Sequence, residues 1–282
     1  MERPRRARAI DGTDPDLDRR PNVLERPQHL HPAPTLTSYS LLISYDGTGY
    51  FGWQKTAAGP SIQGELEKAL HHLFQEAITP EASSRTDRGV HARGQVVQFV
   101  TSKTLPPDRL RHAFNALLPR DIRVREAHLV PASFHPTLDA DSKTYTYDLC
   151  LGPVQEPFFR RFSWHYPYPL NFDLMKKAAA DLLGTHDFSA FTTEPPADPL
   201  RTLLAIEIIL LPNDRLRLSI TGDRFLYKMA RTIAGTLANI GSGKLPSDLI
   251  PRLFVSPDRT LAGMTAPAHG LTLDTISFTP TR

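Results

Sequence analysis

The stretch Ser83–Val97, SSRTDRGVHARGQVV, sets one carboxylate, Asp87, between two guanidinium groups, Arg85 and Arg88, and follows them with an imidazole, His91. Gly89 and Gly94 loosen the backbone around it. The stretch then runs into QVVQFVT, a strand by composition. Upstream, Ser61 reads as a helix N-cap, with Ile62, Leu66, Ala69, Leu70 and Leu73 at helical spacing behind it. Asp87 therefore lies on a loop between a helix and a strand. Working outward, Ser38 to Tyr45 reads as a strand ended by Asp46-Gly47. Pro106-Pro107-Asp108 opens a helix with Leu110, Phe114 and Leu117 on one face, and DIRVREAHLV is a further strand. The rhythm of this half is strand, helix, strand, helix, strand.

The second half repeats that rhythm loosely. KTYTYDLCL alternates as a strand, and FDLMKKAAADLL is a helix ended by Gly184. LLAIEIILL and LRLSITG are strands separated by Asn213-Asp214. FLYKMARTIAGTLANI is a long helix starting near Phe225, and TISF closes the chain. The class expected is α+β, two similar halves on antiparallel sheets. Residues 1–37, rich in Arg, Asp and Pro and without apolar periodicity, are expected to be a disordered or extended arm. Residues 38–141 and 142–282 then form the two halves.

Composition fits a soluble globular protein: of 282 residues, 40% are hydrophobic and 22% charged, and the net charge of +3 leans only weakly toward polyanionic partners. The single cysteine, Cys150, excludes an intrachain disulfide and makes a reducing, cytoplasmic setting the default. No apolar run approaches the roughly 20 residues that cross a bilayer. The histidines do not gather with Cys or acids at ligand spacing, so no metal is expected. DGTGYFG lacks the Lys-Ser/Thr end of a phosphate loop, and no nucleophile elbow is present.

Asp87 remains. Two flanking cations favour its charged form, which suits a nucleophile or a base rather than a proton donor. No second acid stands in a motif of comparable density, which argues against ordinary glycoside hydrolysis. A loop ion pair explains the same residues equally well on residue types alone. Tyr45, Tyr50, Phe51 and Trp53 crowd the first loop, and Tyr145 and Tyr147 share one strand face that is either core or site. Aromatics interleaved with arginines can clamp an unpaired base. Arg231, on the late helix, reads either as a surface cation or as a partner for a carboxylate such as Asp87. A non-catalytic RNA-binding module would use the same arginines and aromatics without needing Asp87, and a nucleoside hydrolase would need an acidic metal cluster.

SYDGTGYFGWQ, SIQGELEKAL, RTDRGVHARGQVVQF, KTYTY, LLGTHDFSAF, FLYKMARTIAG and DRTLAGMTAPAHGLTL, in this order between about residues 39 and 280, resemble the TruA family of tRNA pseudouridine synthases. The resemblance implies two ferredoxin-like halves forming a curved antiparallel sheet flanked by helices, with a central catalytic cleft. It also implies a cytoplasmic homodimer in which one tRNA contacts both subunits, and isomerisation of uridine at positions 38, 39 and 40 of the anticodon arm without cofactor or metal. By motif, Asp87 would be the catalytic aspartate and Arg85 would help displace and hold the flipped base. Tyr145 would stack on that base, Arg231 would pair with Asp87, and Leu271 would pack under the base. Four departures stand out: Ser84 where Gly is usual, Arg88 where a small residue is common, Thr137 in FHPT where the family has an arginine, and Lys143 where Arg is usual.

Overall fold

The structure, a computed structural model, describes residues 36–194 and 197–279, so the expected arm lies outside the described residues except for Leu36 and Thr37. Thr37 already belongs to the first strand. In the first half, β1 (Thr37–Tyr45) is followed by α1 (Ile62–Phe74), β2 (Glu81–Ala82), β3 (His91–Thr101), α2 (Pro107–Leu117) and β4 (Ile122–Leu129). The Ser61 cap forms as expected, its hydroxyl accepting from the Gly64 N–H at 3.1 Å. Behind it Ile62, Leu66, Ala69, Leu70 and Phe74 turn one buried face to the sheet.

The second half comprises β5 (Ala140–Cys150), β6 (Trp164–His165), α3 (Phe172–Asp181), β7 (Gly184–Asp187), β8 (Leu200–Leu211), β9 (Arg215–Gly222), α4 (Met229–Gly241), α5 (Leu249–Val255) and β10 (Leu271–Phe278). All ten strands join one sheet in the order β4-β1-β3-β10-β5-β9-β8-β7, with β2 beside β3 and β6 beside β5. Within each half the arrangement is the same. The first half runs β4-β1-β3-β2 and the second β10-β5-β9-β8, each with helices after its first and third strands, which is the ferredoxin-like pattern.

The halves meet in a way that alternation alone does not predict. β2 pairs with β3 only at Gln98 and Val97, so the start of the same β3 edge is open. The last strand, β10, fills it in parallel, pairing Thr272 with His91 and Leu273 with Ala92. The largely antiparallel sheet thus has a short parallel seam at its centre. Val90, Ala92, Tyr147, Leu271 and Leu273 are buried across it, in one core that runs through both halves.

Two expected boundaries move. Gly184 does not end α3, which stops at Asp181 with Leu182 as its cap; the left-handed Gly184, at φ 100°, instead opens β7. The late helix starts at Met229 and not near Phe225. Lys228 holds a left-handed φ of 60°, and the Asp223 carboxylate binds the backbone N–H groups of Arg224 and Thr202 at 2.6 and 3.0 Å. Such side-chain bonds to the backbone compete with helix, so the apolar spacing of Phe225 and Met229 is realised as a turn followed by a helix.

The loop before α1 is laced to the loop that carries Asp87. The Trp53 N–H donates to the Thr86 carbonyl at 3.0 Å and the Gly89 N–H to the Tyr50 carbonyl at 3.3 Å. Gly52 makes this approach feasible: its φ is 96°, and a Cβ there would stand 2.7 Å from the Thr86 oxygen. Gly52→Ala is expected to cost at least about 1 kcal/mol. Thermal denaturation should show a midpoint at least about 2 °C lower.

Candidate active site

The sheet seam and the two laced loops bound a cavity of about 740 Å³. Asp87 and Arg85 reach it from the loop before β3, Tyr145 and Lys143 from β5, and Leu271 from the first residue of β10. The turn Phe225–Lys228 and the first residues of α4 close another side. Four of the five site residues expected from sequence therefore line one space. The fifth, Arg231, stands behind Asp87.

The partner of Asp87 is Arg231, 144 residues away, and neither flanking arginine is within ion-pair distance of it. Arg231 donates through Nη1 to Asp87 Oδ2 at 2.8 Å, with about 15% of each side chain exposed (14% and 16%). Its Nε donates to the Ala266 carbonyl at 2.8 Å, and the Ala266 N–H returns a bond to the Arg231 carbonyl at 3.1 Å. The guanidinium is thus held at two of its donors, which fixes the direction of the charge-assisted bond. Arg88 turns the other way and lies over the Phe51 ring at 4.3 Å, a cation–π contact. Arg85 is exposed at the cavity wall. The two guanidinium groups that bracket Asp87 in sequence therefore have separate surroundings.

His91, the other charged-looking member of the motif, is structural. Its Nδ1 accepts from the Gly47 N–H at 3.1 Å and its Nε2 donates to the His269 carbonyl at 3.2 Å. Burial pushes its pKa down, with the nearby Asp46 opposing. The imidazole is neutral at pH 7, so its 3.2 Å approach to Asp46 is not an ion pair.

Tyr145 and Tyr147 share a face and divide it. Tyr147 is wholly buried, its hydroxyl donating to the Pro267 carbonyl at 2.9 Å. Tyr145 is 6% exposed, edge-on to Phe225 at 4.9 Å, and its hydroxyl meets Ser84 Oγ at 2.6 Å. Burial, opposed by the Ser84 bond, pushes the Tyr145 phenol up to about 12, so it stays protonated at ordinary pH. Leu271 is buried beside Tyr147, its backbone partner on β5.

Gln95 and Thr86, which help hold this arrangement in place, had no role in the sequence reading. Gln95, fully buried on β3, accepts from the Ser84 N–H at 3.2 Å and donates to the Ser84 carbonyl at 2.6 Å. Tyr45 bonds Thr86 hydroxyl to hydroxyl at 2.7 Å. Ser84 and Thr86, on either side of Arg85, are therefore both anchored, and Asp87 follows directly. A polar residue inside the apolar run of β3 was the available signal, since a buried amide must find partners. Of the other departures, Thr137 donates to the Ala82 carbonyl at 3.1 Å, and Lys143 to the Ser83 carbonyl at 2.5 Å.

The cavity is electropositive. Arg85, Lys143, Arg201, Arg224 and Lys228 line it against two carboxylates, Asp87 and Glu81. Such a space, with aromatic and aliphatic walls and one ion-paired carboxylate, suits an anionic ligand that carries a flat ring. Gln95→Leu leaves both backbone groups of Ser84 unpartnered and is expected to destabilise the fold by about 2–4 kcal/mol. Urea unfolding should show this as a lower midpoint with an unchanged slope.

Residues 41–139 and 178–279 match the sequence pattern of the family described as tRNA pseudouridine synthase. The chain is 45% identical over 249 residues to tRNA pseudouridine synthase A 2 of Protochlamydia amoebophila, covering 86% of this chain and 95% of that protein. It is 43% identical to tRNA pseudouridine synthase A of Halalkalibacterium halodurans, covering 82% and 89% respectively. Against the tRNA pseudouridine synthase A of Thermotoga maritima the identity is 38%, covering 82% and 95%. Among solved structures, an archaeal box H/ACA Nop10–Cbf5 complex aligns with a TM-score of 0.31 at 11% identity, over 71% of this chain and 44% of that one. On the family pattern and these identities over most of its length, this chain belongs to the TruA family of tRNA pseudouridine synthases, isomerases that convert uridine to pseudouridine.

Proposed function

We propose that this enzyme isomerises uridine at positions 38, 39 and 40 of the tRNA anticodon arm, with Asp87 as the catalytic carboxylate. The observation that carries the assignment is the Asp87–Arg231 pair at 2.8 Å, on the wall of a cavity that also presents Tyr145, Leu271 and Arg85. The reaction breaks the N1–C1′ bond, turns the uracil and joins C5 to C1′. The proton on C5 leaves to solvent and N1 ends protonated. Nothing is oxidised, so the chemistry requires no redox cofactor.

A uridine in a stem or structured loop must leave its stack to be reached, at a cost of a few kcal/mol. In this reading Tyr145 stacks on the flipped base, Leu271 packs beneath it, and Arg85 occupies the space vacated or holds the strand. Arg231 holds the Asp87 carboxylate in place through its 2.8 Å bond. That carboxylate acts as a nucleophile on the sugar or the base, or as a base at C2′, and all three routes need it charged. Enclosure keeps the freed uracil against its sugar until the new bond forms. The enzyme acts in the cytoplasm as a homodimer, one tRNA touching both subunits.

Asp87→Asn should keep the fold and abolish turnover. Tritium release from tRNA labelled at uracil C5 reads this directly: the wild type releases label from transcripts with uridine at 38–40, and the variant releases none. Normal release by Asp87→Asn would remove Asp87 from the chemistry. Release from transcripts lacking uridine at those three positions would remove the site assignment.

A further inference from the structure

Lys143 is a buried cation without a counter-charge. It is 7% exposed, lines the cavity, and among the described residues has no carboxylate within ion-pair distance. Its ammonium donates to one protein acceptor, the Ser83 carbonyl. The charge that acts on it from another element is also positive: Arg224, in the turn after β9. Burying an unpaired ammonium beside a second cation is costly, and folded proteins normally pair such a group. Among the described residues, two further donors border the same space without partners, Ser83 Oγ and Arg201 Nε. Asp198, which approaches Arg201 at 3.4 Å and Arg224 at 3.7 Å, is more than half exposed and pairs with those arginines, not Lys143.

We propose that Lys143, with Arg224 and the Ser83 hydroxyl, forms an anion subsite that takes a phosphodiester of the substrate strand next to the flipped nucleotide. This rests on the tRNA reading above and adds a recognition element to the same cavity. Lys143 and Tyr145 are two residues apart on β5 and face the same way, so a base against Tyr145 brings its own backbone to the Lys143 side. The bound phosphate supplies the missing counter-charge and accepts from donors that the protein leaves unused. Lysine serves here as a point charge, already held by the Ser83 carbonyl.

The subsite should be pH-sensitive. Burial, with Arg224 adding repulsion, pushes the Lys143 ammonium down to about 8. The charged groups lining the cavity with it are Arg85 and Asp87 on their loop, Glu81 on β2, His135 on the loop before β5, Arg201 on β8, and Arg224 and Lys228 around the turn before α4. Lys143 is charged below its pKa, so its contribution to binding is complete below about pH 8 and fades as the pH rises through that value.

The test uses the full chain and a tRNA transcript with uridine at 38–40, comparing wild type, Lys143→Met and Lys143→Arg. Removing one phosphate contact should lower the slope of log affinity against log salt by about 0.7 to 0.9. Lys143→Met is expected to show that loss, with affinity reduced about tenfold at low salt and no weakening from pH 7 to 9.5 beyond its own baseline. Wild type should weaken across that range, and Lys143→Arg should keep the full salt slope and a flat profile. A Lys143→Met variant with an unchanged salt slope would overturn the subsite. So would a wild-type affinity as flat with pH as that of Lys143→Arg, a comparison that needs no neutral variant to fold. Pseudouridine formation by wild type, scored in parallel, separates failure of the tRNA reading from failure of the subsite.

Discussion

The ion pair between Asp87 and Arg231 ties the molecule's two halves to one purpose. The carboxylate belongs to the loop before β3 and the guanidinium to the first turn of α4, so the 2.8 Å contact exists only when both halves are assembled. Each side chain is largely out of water, which strengthens the attraction and makes either charge costly to leave alone. The parallel seam of β3 and β10 makes the meeting feasible. β10 covers the β3 edge that β2 leaves open, and the chain leading into it brings the Ala266 carbonyl to Arg231, so two of the guanidinium's donors are fixed.

Around that pair the charged residues of the motif separate by environment. Arg88 lies on Phe51, Arg85 faces the cavity, and His91 is a neutral buried imidazole bonded to Gly47 and His269. Gln95, Tyr45 and Ser84 form a polar scaffold beneath the loop, from the core of the first half to the hydroxyl of Tyr145 on the second. A fully partnered network of this kind is rigid, because each member's alternative is an unmet buried group. The same rule applied to Lys143, which has no carboxylate partner among the described residues, is the ground for the proposed anion subsite.

The elements were largely legible in the chain. Ser61 as a cap, Pro107 at a helix start, and the alternation through KTYTY all act over a few residues, and local sterics and local hydrogen bonds decide them. The misplaced boundaries, at Gly184 and Phe225, are places where an apolar period continued but the backbone turned left-handed. The short strands β2, β6 and β7 have too few residues to show a period and exist because a neighbouring edge pairs with them.

The sequence by itself determined that Asp87 sits on a loop between a helix and a strand, and that aromatics and arginines accompany it. The family motifs named Arg231, Tyr145 and Leu271 as its companions. On residue types alone the partner of Asp87 stayed open, and the family motifs pointed to Arg231; the tertiary structure makes that pair, since the two arginines near Asp87 in sequence are not neighbours of its carboxylate while one 144 residues distant is. It also decided that Ser84 reaches Tyr145 and that Lys143 is buried with no carboxylate partner among the described residues. Periodicity and capping are written in short windows, whereas charge pairing and burial depend on which faces of distant elements the sheet order brings together.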